Sequence, residues 1–230
     1  MAAALRSSLY ASVVFLKIHD FARRPATEQA RLRAQLQAVI AVTAAEIPLP
    51  GRVMLDAADG AAVVVLEEPR LALRLAQRAL TAVAVGLPLS AGLNYGALQL
   101  AGRKGGEGMT GDGIAVAAAV AAFAPQARVL VSRSFRDAVA EVEPGAEAAL
   151  VPAGTFTDQG LRTHEVFGPN ERAPGRRRQR YSAIAVIVAL ALIGTGIAVR
   201  SSTPNQRPFV DAVLERTAPY WRDLVQRVSY

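Results

Sequence analysis

One segment limits the folds open to this chain more than any other. Ser182–Val199 (SAIAVIVALALIGTGIAV) has eighteen residues and no charged side chain. As a helix it would be about 27 Å long, close to the thickness of the hydrocarbon core of a bilayer. Gly194 and Gly196 weaken a helix in water but are common in membrane helices, where they allow close packing. A buried core helix is the alternative, but such helices usually have a polar face. The segment therefore predicts a transmembrane helix over residues 181–200.

The positive charge of the chain is concentrated beside this segment. The formal net charge is +7, yet residues 1–165 carry 16 basic and 15 acidic side chains, a balance of +1. The residues that follow carry a group of arginines, named here the basic collar: Arg172, Arg176, Arg177, Arg178 and Arg180, with Tyr181 directly after them. Basic residues mark the cytoplasmic side of a membrane helix. We therefore expect residues 1–180 to be cytoplasmic in a bacterial inner membrane, with the collar on anionic lipid and the C-terminal tail on the far side. The collar is not expected to bind nucleic acid.

The chain divides by composition into four parts. Residues 1–167 form the expected folded domain, and residues 168–180 form a linker rich in Pro, Gly and Arg that ends in the collar. The predicted span and a tail over residues 201–230 follow. The tail has helical periodicity and an aromatic pair, Tyr220 and Trp221. The tail has too few residues to bury its own apolar stripe. We therefore expect the tail to dock on the membrane interface or on an integral-membrane partner rather than to form a helix pair in water.

Composition excludes several classes of protein. The absence of cysteine excludes a disulfide scaffold, a thiolate zinc site and a cysteine nucleophile. A hydrophobic content of 52% excludes wholesale disorder.

The elements predicted between Leu9 and Phe167 alternate in the order βαββαββαβαββ, which indicates an α+β fold with helices on a mostly antiparallel sheet. Two local predictions bear on the site. Residues 87–95 and 96–101 are predicted as separate strands. The glycine-rich residues 102–113 lead into a helix predicted over residues 114–123, and their first part, residues 102–108, is predicted as a flexible hairpin tip rather than a phosphate-binding loop.

Three stretches in this order resemble the class III nucleotidyl cyclase catalytic domain. The first is Val13–Phe21 (VVFLKIHDF), where Phe, Ile and Phe recur at three-residue spacing as in the first strand and turn of that family. The second is Ala58–Leu66 (ADGAAVVVL), similar to its Gly-Asp-Gly hairpin. The third combines Leu89–Gly96 (LSAGLNYG) with Gly111–Ala118 (GDGIAVAA), similar to its strand, hairpin and helix. The resemblance implies a ferredoxin-like βαββαβ core, and it spans most of residues 9–167.

The resemblance also implies a demanding active site. In that family, two Asp residues bind two metal ions, which activate a ribose hydroxyl for attack on the α-phosphate of ATP or GTP. The corresponding positions here are Lys17 and Asp59, so one metal ligand is replaced by a cation. The base-reading positions correspond to Leu55 and Gly108. The ribose-orienting Asn and the transition-state Arg correspond to Ala115 and Ala119, and Arg162 falls near a phosphate-binding Lys.

Most of the catalytic groups are therefore replaced, and the sequence predicts an inactive cyclase homologue with no cofactor. Asp59 is interpreted first as a hairpin turn residue, and Lys17 is expected to pair with it where the family binds metal. His19 and His164 are isolated in the sequence and are not expected to bind metal or to transfer protons.

Three functions remain open at this point. The leading hypothesis is a membrane-anchored binding or assembly subunit of an integral-membrane complex, able to form a homodimer or heterodimer through the cyclase-like domain. The second is a residual cyclase that uses Mg²⁺ or Mn²⁺ with ATP or GTP and a partner protomer. The third is a nucleotide sensor that binds without catalysis.

Overall fold

A computed structural model describes residues 8–103, 106–158 and 160–170 of the 230-residue chain. Eight strands and four helices alternate over these residues in the predicted order. The strands are β1 (Ser8–Ile18), β2 (Arg52–Ala57), β3 (Gly60–Val65), β4 (Leu89–Arg103), β5 (Gly106–Thr110), β6 (Val129–Ser132), β7 (Leu150–Thr157) and β8 (Thr163–Pro169). The helices are α1 (Ala26–Thr43), α2 (Pro69–Ala79), α3 (Asp112–Phe123) and α4 (Arg133–Val142).

All eight strands belong to a single mixed sheet. Seven of them follow the order β2-β3-β1-β4-β6-β8-β7, and β5 pairs with the outer half of β4. The pair β4–β6 is parallel, whereas the other pairs are antiparallel. The predicted α+β class is confirmed, with one parallel pair in the sheet.

Both faces of the central strands are buried. Val13 and Phe15 on one face of β1 pack against Ala117 and Ala121 of α3. Leu16, which points to the opposite face, is also fully buried. A strand covered on both faces reads as a continuous apolar run, and VVFL in β1 is such a run.

Two glycines allow the elements that carry the site to approach closely. A Cβ atom at Gly92 of β4 would overlap the backbone of Ala117 and Ala121, so α3 lies directly on this strand. A Cβ atom at Gly60 of β3 would overlap the carbonyl of Leu16, so the β2–β3 turn lies close against β1. Only glycine leaves room for the backbone at both positions.

The structure corrects two predictions around β4. Residues 87–95 and 96–101 do not form separate strands, because β1 pairs with β4 without interruption from Leu89 to Gln99, across Gly96. The last five residues of β4, Gln99–Arg103, pair with β5 (Gly106–Thr110), so most of the described part of the tip predicted over residues 102–108 belongs to these two strands. The helix α2 ends at Ala79, and the chain continues as a 3₁₀ helix over Leu80–Val85 before β4.

The described residues contain no helix that is long and apolar enough to cross a membrane. The predicted span over residues 181–200 lies outside them, as do the basic collar and the tail.

Candidate functional site

Lys17 and Asp59 form an ion pair at the end of β1. The turn between β2 and β3 brings Asp59 there, because Gly60 pairs with Lys17 across the two strands and the backbone N–H of Ile18 donates to the Asp59 carbonyl at 2.8 Å. The Lys17 ammonium group donates to Asp59 Oδ2, and the two side chains are 25% and 36% exposed. The predicted pair is therefore present in the structure.

Other basic groups lie around this pair. The guanidinium group of Arg33, on α1, donates to the carbonyl of Ala58 at 3.0 Å and lies over the ring of Phe21. Burial, reinforced by the positive charge of Lys17, lowers the pKa of His19, although Asp20 acts in the opposite direction. The surroundings therefore oppose a further positive charge at this position.

These residues do not fit a divalent cation. Magnesium and manganese prefer carboxylate oxygens, but the ammonium group of Lys17 occupies one expected ligand position and is bonded to the carboxylate at the other. Within the described residues, no group of three or more His, Asp and Glu side chains could hold a metal ion.

Leu55 and Gly108, the positions that the resemblance assigns to base reading, differ in their surroundings. Leu55, on β2, is half-buried and packs against the apolar cluster that contains Phe15 and Leu98. Gly108, on β5, pairs with Ala101 of β4. A leucine side chain and a glycine supply no donor or acceptor beyond the backbone with which to read a base.

Ala115 and Ala119 line an open groove of about 520 Å³ between α3 and the β7–β8 hairpin. This volume lies within the usual range of small-molecule pockets. Further alanines of α3 extend its floor, and Phe123 and the hairpin supply its walls. Among the described residues, the lining is Ala115, Ala118, Ala119, Ala122, Phe123, Phe156, Thr157, Asp158, Gly160 and Arg162.

A network of charged groups closes one end of the groove. Asp158 accepts hydrogen bonds from His164 Nε2 at 2.9 Å, from the Arg162 backbone N–H at 2.9 Å and from Arg162 Nε at 3.0 Å. Arg162 Nη1 also donates to Asp112 Oδ1 at 2.5 Å. One guanidinium group therefore lies between two carboxylates, one from the hairpin and one from the first turn of α3.

The electrostatics of this network favour the ionised form of Asp158. The hydrogen bond from His164, together with those from Arg162, holds the pKa of Asp158 well below its usual value. Asp112, and secondly Asp158, raise the pKa of Arg162. Because the carboxylate of Asp158 is ionised and accepts only, the proton between it and His164 resides on Nε2 of the ring.

An aromatic stack forms the wall beside this network. Phe123 and Phe156 stack with ring centroids 4.6 Å apart and an interplanar angle of 12°, and the rings of Phe156 and His164 stack with centroids 5.2 Å apart. Phe123 is 46% exposed. The groove thus has an apolar floor, an aromatic wall and a charged end.

A buried polar cluster holds the start of α3 in place. Asn94 of β4 donates to the carbonyl of Gly113 at 3.1 Å and accepts hydrogen bonds from the hydroxyl groups of Ser132 and Ser134 at 2.7 and 2.8 Å. Ser132 also caps α4 by accepting from the backbone N–H of Phe135. Asn94 therefore connects the first turns of α3 and α4 to the sheet.

Sequence reasoning missed the grouping of Asp158, Arg162 and His164. The structure brings His164 next to Asp158 and Phe156, so this histidine is not isolated as the sequence suggested. The spacing Asp158–Gly160–Arg162–His164 (DxGxRxH) is a usable signal, because an Asp two residues before Gly is typical of a tight turn that folds the following residues back on the Asp side chain.

Other predicted contact residues lie outside the described residues. These are Arg176, Arg177, Arg178, Arg180, Tyr181, Gly194, Gly196, Tyr220 and Trp221.

Comparisons with known proteins identify the fold. The adenylyl cyclase CyaB from P. aeruginosa is 12% identical, with a TM-score of 0.57 over 73% of this chain and 98% of that chain. The guanylate cyclase domain of RhGC from Catenaria anguillulae, solved with GTP, is 16% identical, with a TM-score of 0.56 over 73% of this chain and 100% of that chain. An adenylate/guanylate cyclase/hydrolase from Silicibacter pomeroyi is 16% identical, with a TM-score of 0.55 over 71% of this chain and 97% of that chain.

No protein-family model and no curated protein sequence matches this chain. The likeness to solved structures nevertheless covers nearly the whole length of each cyclase domain. The chain thus contains the fold of class III adenylate and guanylate cyclase catalytic domains.

Proposed function

We propose that this chain is a cyclase-fold protein that forms no cyclic nucleotide and serves as a binding or assembly subunit in a bacterial inner-membrane complex. The observation that carries the proposal is the ion pair of Lys17 and Asp59. The resemblance places a metal-binding carboxylate at each of these positions. Two unit charges 4 Å apart interact by about 4 kcal/mol at an effective dielectric constant near 20, so an ammonium group strongly opposes a divalent cation beside it.

The groove supports the same conclusion. At Ala115 and Ala119, methyl groups occupy the positions where the family has a ribose-orienting Asn and a transition-state Arg. Loss of one hydrogen-bond donor to a developing charge typically costs about 3 kcal/mol. Both halves of the expected site are affected in the same chain, so a homodimer does not restore the missing groups.

The remaining parts of the proposal concern the membrane. The span over residues 181–200 anchors the chain, the basic collar contacts anionic lipid on the cytoplasmic side, and the tail docks on an integral-membrane partner. Gly194 and Gly196 suit close helix packing in the bilayer, and Tyr220 and Trp221 suit its interface. Pairing of two cyclase-like domains is compatible with this arrangement, and nucleic acid has no part in it.

A turnover assay tests the loss of activity. The full chain in mild detergent is incubated with ATP or GTP and Mn²⁺, and the cyclic nucleotide is measured against an Asp59→Asn variant. We expect no product from either protein. Product from the natural chain that disappears with Asp59→Asn would overturn the proposal and favour a residual cyclase.

Two further measurements separate the other functions. Saturable binding of labelled ATP or GTP without turnover favours a nucleotide sensor, whereas no binding at millimolar nucleotide excludes one.

Copurification from mild detergent tests assembly into a membrane complex. A partner of the tail is a membrane protein that is recovered with the full chain and is lost when residues 208–230 are deleted.

A further inference from the structure

The groove on α3 has an apolar floor that suits long aliphatic side chains. Its floor consists of alanine methyl groups, and the stacked rings of Phe123 and Phe156 form a wall. Phe123 is 46% exposed at this wall, so an aromatic face is available beside the methyl groups. A guanidinium group stacks well on such a face while the stem that carries it covers apolar surface.

The charged end of the groove favours a cation. Asp112 and Asp158 face the single guanidinium group of Arg162, so these three side chains together carry one more negative than positive charge. Arg162 holds Asp158 through Nε, and that carboxylate is only 8% exposed. Asp112 is 67% exposed, so its carboxylate is open to a second basic side chain.

The chain itself carries basic side chains within reach of this groove. The strand β8 begins at Thr163, directly after the hairpin loop that lines the groove, and ends at Pro169. Its seven residues span about 24 Å. From the end of β8 at Pro169, the eight residues to Arg177 extend to about 26 Å and the eleven residues to Arg180 to about 36 Å when fully stretched, so Arg177–Arg180 can return to the start of β8.

We propose that the groove binds residues 171–180 of the same chain, with arginine stems on the alanine floor and a guanidinium group at Asp112. The segment carries five arginines and one glutamate, which complement the acidic end of the groove. Its attachment to β8 gives it an effective concentration in the millimolar range, so a weak contact is sufficient. The proposal goes beyond the proposed function and does not depend on the loss of catalysis.

Docking in the groove competes with lipid for the same arginines. A collar arginine held at Asp112 cannot also contact an anionic headgroup, and the folded domain then lies close to the membrane surface. The contact between the domain and its linker thus becomes sensitive to the lipid that surrounds the anchor.

Cysteine crosslinking tests this contact, because the natural chain contains no cysteine. The full chain is prepared in zwitterionic detergent as Ala122→Cys with Arg177→Cys, and disulfide formation under mild oxidation is followed on a non-reducing gel. The control pair is Ala34→Cys with Arg177→Cys, where Ala34 is an exposed alanine of α1, a helix that does not line the groove. We expect the Ala122 pair to form an intramolecular disulfide on the order of ten times faster than the control.

A charge reversal identifies the cause of the crosslink. Adding Asp112→Lys to the Ala122 pair should slow the disulfide to the rate of the control, because the new cation repels the segment. Far-UV circular dichroism establishes that each variant is folded. The proposal is overturned if the Ala122 pair reacts no faster than the control or if Asp112→Lys leaves its rate unchanged. A disulfide that joins two chains also overturns it, because the occupant is then a second copy.

Discussion

Replacement of Gly92 by alanine tests how the fold positions the groove. The added Cβ atom would lie 2.7 Å from the Cα atom of Ala121 and closer still to the backbone nitrogen of Ala121 and the carbonyl oxygen of Ala117. All three atoms belong to the backbone of α3, so no side-chain rotation relieves the overlap. The helix must therefore move away from β4.

The expected cost follows from this geometry. Overpacking in a well-packed interior typically destabilises a protein by about 1 to 3 kcal/mol, and an overlap with rigid backbone belongs at the upper end. We expect Gly92→Ala to lower the free energy of unfolding by about 3 kcal/mol, measured by urea denaturation of the full chain in detergent and followed through the circular dichroism of the folded domain.

Gly168 provides a matched control in the same sheet. A Cβ atom there would lie 3.6 Å from the nearest side-chain atom, an ordinary van der Waals contact, so Gly168→Ala should change the free energy of unfolding by less than about 0.5 kcal/mol. If Gly92→Ala costs no more than Gly168→Ala, the close approach of α3 to β4 is wrong.

Two further predictions concern the polar groups around the groove. Asn94→Ala should lower the free energy of unfolding by about 2 kcal/mol in the same urea assay, because it leaves the buried hydroxyl group of Ser132 without its acceptor, and an unchanged midpoint would contradict that role. The lowered pKa of Asp158 means that its ionised form stabilises the folded chain fully above the unfolded value of 3.8 and progressively less as the pH falls below it. The Asp158→Asn variant should therefore be less stable than the natural chain at neutral pH, and its stability should depend less on pH below about 4. Thermal melts of both proteins measure this dependence, and equal acid sensitivity of the natural chain and the variant would refute the network.

The sheet and its helices could largely be predicted from the sequence, because apolar runs and turn residues mark most elements. The stretch VVFL marks the strand β1, and the Asp-Gly turn at Asp59 marks the hairpin of β2 and β3. The division of β4 at Gly96 was wrong because a glycine breaks a strand only where the backbone turns. Here Gly96 stays paired with Ala11, and its lack of a side chain gives room to Gly113 at the start of α3.

The ion pair of Lys17 and Asp59 was also predictable, because the family resemblance assigns both residues to one site. The contact of Arg162 with Asp112 in the groove network was not predictable. Asp112 and Arg162 are fifty positions apart, and only the packing of the β7–β8 hairpin beside α3 brings them together. Local spacing alone gives no information about such a contact.

Manganese binding tests most directly whether the Lys17–Asp59 pair has replaced a metal site. Electron paramagnetic resonance measures the loss of free Mn²⁺ signal when four proteins are added in turn: the natural chain, Asp59→Asn, Lys17→Asp, and Lys17→Asp with Asp59→Asn. We expect no binding by the natural chain, binding by Lys17→Asp, where two carboxylates then face each other, and loss of that binding when Asp59→Asn is added to Lys17→Asp. Binding of Mn²⁺ by the natural chain that is abolished by Asp59→Asn alone would contradict this expectation.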